Sequence, residues 1–347
     1  MTASSPAPSR ACPPPSCYKY RLMPHRNPLA RLLLALLVLI ASCQWAGCQG
    51  GASPPQEIPR ELPPFDAERA WSLLLEQVEL GPRPSGSPEN VKLRDWIAAD
   101  LEASGLVPVR EAFVAEHAPG GPIPMENVYA DLEAPAGPEG QPAPMIIIGA
   151  HFDTKKLPFE FVGANDGASG VATLLELARV LKAGSAPQVS YRFLFLDGEE
   201  AVRRDWQDPD NRYGSRHHVS ELTKTRGALK RTKAFVLLDL VGDKDLVLER
   251  DQTSTRKLLD LFIKTARELE QPDLFAKTPI PVKDDHESFL EFRIPSVDLI
   301  DLQFGKYGNE YWHTTEDTVD KCSKESLDIV GRLVLATLPK VEAAYCR

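Results

Sequence analysis

The stretch FLFLDGEEA, residues 193–201, runs from an apolar strand into an aspartate, a glycine and two adjacent glutamates. Neighbouring side chains on a strand point to opposite faces, so Glu199 and Glu200 could not both serve one site from within it. Gly198 argues that the strand has already ended and that the chain bends, which lets both carboxylates turn into one crevice. An isolated acidic pair is more often a solvated loop. The company this pair keeps argues otherwise. MIIIGAH ends in His151 with Asp153 two residues on, FVGANDGASG sets Asp166 just ahead of a helix, FVLLDLVG carries Asp239 near its end, and EYWHTTED supplies His313. Singly each reads as a structural residue. Imidazoles and carboxylates recurring at successive strand ends read as a metal site, because open α/β sheets hold their ligands at the carboxyl ends of strands.

Zinc suits these donors. It takes histidine nitrogen and carboxylate oxygen, and a catalytic centre offers three protein ligands with a fourth position open; Asp166, Glu200 and His313 make that trio. The neighbouring glutamate then has a separate task. Close to a carboxylate pinned as an anion and partly desolvated, Glu199 is expected to have a raised pKa and to handle protons.

Such residues need a scaffold that brings strand ends together. Helical spacing covers roughly 66–80, 88–104, 167–183, 253–270 and 324–344, and apolar runs suited to buried strands cover 145–150, 191–197, 234–241 and 296–301. NVYADLE is expected to form an antiparallel edge pair with the strand that follows it. The alternation predicts a single three-layer α/β/α domain with a mixed, mostly parallel central sheet. With 347 residues, 43% hydrophobic and 26% charged, the chain can bury one substantial core or two small ones. A net charge of −9, with no basic block outside the amino-terminal segment, argues against nucleic acid and for small molecules or peptides as partners.

The amino terminus reads differently. In MPHRNPLARLLLALLVLIASC, arginines precede an apolar run from Leu32 to Ile40 and small residues before Cys43, the layout of an export signal. A membrane-spanning helix needs ~20 apolar residues, more than this run offers. Because IASC resembles a bacterial lipobox, residues 1–50 are expected to be a signal or lipoprotein segment with Cys43 lipidated and Met23 as the start. Residues 51–64 form a proline-rich linker, and 65–347 the catalytic domain. The enzyme is then expected on the periplasmic side of the cell envelope, touching membrane only through its amino terminus; a secretory-pathway signal anchor is the alternative. Cys322 and Cys346 flank one helical run whose ends would lie roughly 30 Å apart, so no bridge between them is expected.

Taken together, HFD, GANDGASG, FLDGEEA, LLDLVG and WHTTED resemble the fold shared by zinc-dependent aminopeptidases and animal-type glutaminyl cyclases, and GPRPSGSPEN at 81–90 resembles the usual amino-terminal helix entry. In the aminopeptidases the aspartate matching Asp166 bridges two metals, and the residues matching His151 and Asp239 hold the second. All five ligand types are present, which leaves hydrolysis open. Three stretches resemble the cyclases more: the tryptophan and YGSRH that follow the paired glutamates, Asp284 in DDHESF, and Trp312 directly before His313.

The cyclase resemblance implies conversion of an N-terminal glutamine to pyroglutamate with loss of ammonia. It implies one zinc per chain, Glu199 as general acid and base, and Asp239 and Asp284 holding the α-amine and the leaving group. It makes Trp206 and Trp312 apolar walls, and His151 and Asp239 hydrogen-bonding groups behind the metal. The expected partners are peptides or proteins beginning with glutamine, and the expected state is a monomer. His217 and His218 read as structural, and His286 as a residue that orients its neighbouring aspartates. The sequence departs from the animal pattern at Lys283, where glutamine is usual, in one additional residue between Glu200 and Trp206, and in lacking the animal cysteine pair. A two-metal aminopeptidase and a non-catalytic binding module are the competing readings.

Overall fold

The strand MIIIGAH, Met145–His151, is buried at every position, and its alternate side chains enter two different cores. Ile146, Ile148 and Ala150 join one apolar cluster, while Met145 and Ile147 join another. That is the pattern of a strand covered on both faces.

The computed structural model describes residues 60–306 and 308–346. The expected export segment with Cys43, and the linker as far as residue 59, lie outside the described residues. In chain order the elements are α1 (Ala67–Glu79), α2 (Pro88–Ala103), β1 (Pro108–Ala115), β2 (Ile123–Leu132), β3 (Met145–His151), α3 (Ala168–Ala183), β4 (Ser190–Leu196), α4 (Tyr213–Lys224), α5 (Ala228–Arg231), β5 (Thr232–Asp239), β6 (Leu248–Asp251), α6 (Arg256–Glu268), β7 (Phe275–Ile280), α7 (His286–Leu290), β8 (Ser296–Ile300) and α8 (Lys324–Tyr345).

The main sheet has the order β1-β2-β4-β3-β5-β8. Strands β4, β3, β5 and β8 run parallel to their neighbours in that series, whereas β1/β2 and β2/β4 are antiparallel. Residues of α1, α2, α3, α6 and α8 pack on one face, and Val219 and Leu222 of α4 with Phe289 of α7 on the other. The result is the three-layer α/β/α domain with a mixed, largely parallel sheet.

One pairing differs from expectation. NVYADLE, within β2, does not pair with β3, the next strand in the chain; it lies between β1 and β4. Parallel β3 instead takes the centre of the sheet, where a strand buried on both faces belongs. The α8 helix continues through Pro339 to Tyr345, and Cys322 and Cys346 are both free thiols.

Candidate active site

The placement of Glu199 and Glu200 follows from where β4 stops. The strand ends at Leu196, and Gly198 takes a φ of 75°, a left-handed turn that favours glycine. A side chain there would also meet Met125 Sδ at 2.6 Å. Past this turn Asp153 acts as a clamp: its carboxylate accepts the backbone N–H of Glu199 at 3.1 Å and of Glu200 at 3.3 Å. The loop after β3 thereby fixes the loop after β4, so the two glutamates project from a held backbone.

Asp166 is placed by helix packing. Gly170 lets α3 approach β5 so closely that a Cβ would stand 2.3 Å from the Leu238 carbonyl oxygen. Ahead of the helix, Asp317 accepts the N–H groups of Asn165 and Asp166 at 2.7 and 3.1 Å, and the fully buried Arg83 donates to the carbonyls of Val162 and Gly163 at 2.7 and 3.2 Å. His313 comes from the loop after β8, with a φ of 54° that an L residue rarely adopts.

These elements converge. His313 Nε2 lies 2.8 Å from Glu200 Oε1 and 3.2 Å from Asp166 Oδ2, and one donor atom from each residue falls within 4.8 Å of the others. His151, Asp166 and Asp239 form a second such group: His151 Nε2 is 3.0 Å from Asp239 Oδ1 and 3.3 Å from Asp166 Oδ1. Its Nδ1 faces the Asp153 carbonyl oxygen at 3.1 Å, a contact that requires an Nδ1–H donor and leaves Nε2 turned toward the carboxylates.

The donor set fits zinc. Asp166 Oδ2 and Glu200 Oε2 are buried without a hydrogen bond, the condition a bound cation relieves. The electrostatics agree. Burial opposes a charge on His313, but Glu200 and Asp166 outweigh it and raise its pKa to about 10. The Asp166 carboxyl is likewise held well below its usual range, against burial, by His151 and His313. A carboxylate cluster that draws positive charge this strongly is the setting a divalent ion needs. Lys155 Nζ, itself buried, stands 3.3 Å from Glu200 Oε2.

Glu199 sits beside this group in a cavity of about 210 Å³ lined also by Asp239, Asp284, Trp206, Trp312 and Lys283. Burial, then Glu200, then Asp284 push its pKa well above the ordinary value. Asp284 is raised too, by burial and then by Asp239 and Asp285. Trp206 does more than wall the cavity: its indole N–H donates to Glu199 Oε1 at 2.8 Å. Trp312 stacks on His313 with ring centroids 3.9 Å apart, bracing the imidazole while it lines the cavity.

Eight residues singled out from the sequence, Glu199, Asp239, Asp284, Trp206, Trp312, Asp166, Glu200 and His313, therefore meet at one cavity, with His151 behind it. His218, bonded to Glu111, and His217, stacked on Phe113, stay away from it. His286 faces Asp251 at 3.3 Å and Asp298 at 3.6 Å, not the adjacent Asp284 and Asp285 that it was expected to orient. Sequence reasoning assigned no task to Asp153, Lys155, Asp317 or Arg83. The first three lie inside or beside the quoted motifs, and Arg83 lies in GPRPSGSPEN, so proximity to a motif was the signal available.

Residues 127–338 match Peptidase family M28. The chain belongs to that family. This M28 chain is 30% identical to a glutaminyl-peptide cyclotransferase-like protein of Mus musculus, over 94% of this chain and 93% of that one. Among solved structures it resembles a glutaminyl cyclase from an Acidobacteriales bacterium at 32% identity and a TM-score of 0.75, covering 84% of this chain and 99% of that one. It also resembles the glutaminyl cyclase of Porphyromonas gingivalis at 26% identity and a TM-score of 0.70, covering 80% and 98%. The chain is an enzyme of the M28 and glutaminyl-cyclase superfamily, with a His/Asp/Glu group suited to a metal and a site consistent with cyclotransfer or related hydrolysis.

Proposed function

We propose that this enzyme is a glutaminyl-peptide cyclotransferase: it converts the N-terminal glutamine of a peptide or protein to pyroglutamate and releases ammonia. The observation that carries the reading is the placement of Glu199. Held by Trp206, it shares one small cavity with the candidate zinc ligands and with two further carboxyl groups.

Cyclisation uses the substrate's own amine as nucleophile, so the enzyme has no water to activate; its work is to orient one flexible side chain and move protons. Zinc held by Asp166, Glu200 and His313, one ion per chain, would supply Lewis-acid polarisation of the γ-carbonyl. Asp239 and Asp284 would orient the α-amine and leaving amide by hydrogen bonds. As a carboxylate, Glu199 would take a proton from the attacking amine and return it to the departing nitrogen. The new bond joins the α-nitrogen to the γ-carbon, the γ-C–N bond breaks, and ammonia leaves. Trp206 and Trp312 would enclose the short glutaminyl chain.

A second reading has an observation of its own. His151, Asp166 and Asp239 lie close enough to take a further ion, as a two-metal aminopeptidase would require. One experiment separates the two: incubation with a peptide beginning in glutamine and with an aminoacyl anilide. Pyroglutamyl product and ammonia are expected; release of a free amino acid or aniline would establish the hydrolase instead.

We also propose that the enzyme works outside the cytosol, anchored as a monomer through a lipid on Cys43. The apolar run before IASC supports this. Cys43→Ala should free the protein from membranes, and retention of that variant would refute the anchor.

A further inference from the structure

We infer that Lys283 selects the residue following the reacting glutamine and favours an acidic side chain there; this deepens, and rests on, the cyclotransferase reading. The cavity is lined by five acidic residues, Asp166, Glu199, Glu200, Asp239 and Asp284, and Lys283 is the one lysine or arginine among its lining residues. The five acids are buried, whereas Lys283 is exposed. Among the described residues no carboxylate pairs with its ammonium, so the charge is available to a ligand.

The reaction sets the direction of the peptide. The α-amine and the γ-amide must both reach the floor of acids and metal ligands, so the chain beyond the glutamine's carbonyl leaves through the mouth. Lys283 precedes Asp284 directly, which puts a cation one residue from one of the two carboxyl groups that would orient the α-amine and the leaving amide. The side chain of the second residue is one peptide bond further out, at the depth where the lining passes from buried acids to this exposed ammonium. The acids of the floor hold the amine end by hydrogen bonds; the mouth then favours an anion just behind it. Arg203 and Arg204, exposed on the segment between Glu200 and Trp206, are the competing cations.

The test uses the full chain loaded with zinc and three amidated peptides that differ only in a second residue of glutamate, alanine or lysine. kcat/KM should fall in that order by about twofold to fivefold per step, the range of an exposed ion pair, chiefly through KM, and higher salt should shrink the spread. Lys283→Arg should keep the order, Lys283→Gln should flatten it, and Lys283→Glu should reverse it. Equal kcat/KM for the three peptides, or a preference that survives Lys283→Glu and disappears with Arg203→Gln or Arg204→Gln, would overturn the assignment. Failure to cyclise any of the three would overturn the cyclotransferase reading, and this inference with it.

Discussion

Two groups of ligand-type residues share Asp166, and they differ in what surrounds them. In the Asp166, Glu200 and His313 group the imidazole is 16% exposed, all three residues line the cavity, and the two oxygens buried without a hydrogen bond both belong here. In the His151, Asp166 and Asp239 group every member is buried, and His151, absent from the cavity lining, is engaged through both ring nitrogens. Both groups must release a histidine–carboxylate contact to take a metal, but the first, whose Asp166 Oδ2 and Glu200 Oε2 make no hydrogen bond, has less to give up than one whose histidine is bonded through both ring nitrogens. The same five donors can thus support one ion in the working position and a histidine–aspartate brace behind it.

The largest effect should come from the residue both groups share. Asp166→Asn is expected to lose bound zinc and to lose turnover by more than the roughly 10- to 100-fold that removing an outer hydrogen-bonding partner costs. Zinc content measured beside activity checks it, and full activity would remove this site from consideration.

Glu199→Gln should come next, with a loss of about 10²- to 10⁴-fold and zinc unchanged, because it removes a proton carrier and leaves the ligands in place. Glu200→Gln should instead lower zinc occupancy and respond to added zinc. If the two variants exchanged these behaviours, the division of labour between the paired glutamates would be reversed.

His151→Asn sharpens the contrast most directly. A brace predicts a rate loss of roughly 10- to 100-fold with one zinc still bound. A drop from two tightly bound ions to one would make the second group a metal centre.

The smallest effect concerns a carboxyl group without a cation. Burial raises the Asp301 pKa to about 7, although it accepts N–H groups from Val247 and Gln303 at 2.7 and 2.8 Å. The folded state therefore binds this proton more tightly than the unfolded chain does. The resulting stability is complete below the ordinary aspartate range and is lost as pH rises through about 7. Asp301 should contribute up to about 1.4 kcal/mol of lost stability per pH unit within that window, alongside the likewise raised Asp197 and Asp317, and Asp301→Asn should lessen the slope seen in denaturant titrations by that share. An unchanged slope in the variant would rule out a contribution from Asp301.

Legibility from the sequence followed length and local pattern. Helix α3, expected at 167–183, runs from Ala168 to Ala183, and β3, expected at 145–150, runs from Met145 to His151. Strand β1 went unseen: Val109 and Val114 are exposed, and the adjacent Arg110 and Glu111 confine its apolar run to Ala112–Ala115, at the short end of what a buried strand shows. The short β6, β7 and α7 went unseen as well, since a few residues carry too little periodicity. The partner of NVYADLE was misread for a different reason, because pairing depends on which strands lie adjacent in space and not on which come next in the chain. Within the site, Trp206 was legible as an aromatic wall, but its N–H bond to Glu199 was not, since it depends on how the 201–206 segment folds back.

What the sequence by itself determined is the chemistry available: apolar runs stop at or just before His151, the Glu199–Glu200 pair and Asp239, and residue type states whether each donor is an imidazole or a carboxylate. These are local properties, written in neighbouring side chains. Tertiary structure alone decided which donors meet. His313 reaches Glu200 across 113 residues of chain, and Asp317 reaches Asn165 across 152. Such contacts cost loop entropy that local pattern cannot offset, so the burial of the whole sheet and its helices is what brings them together.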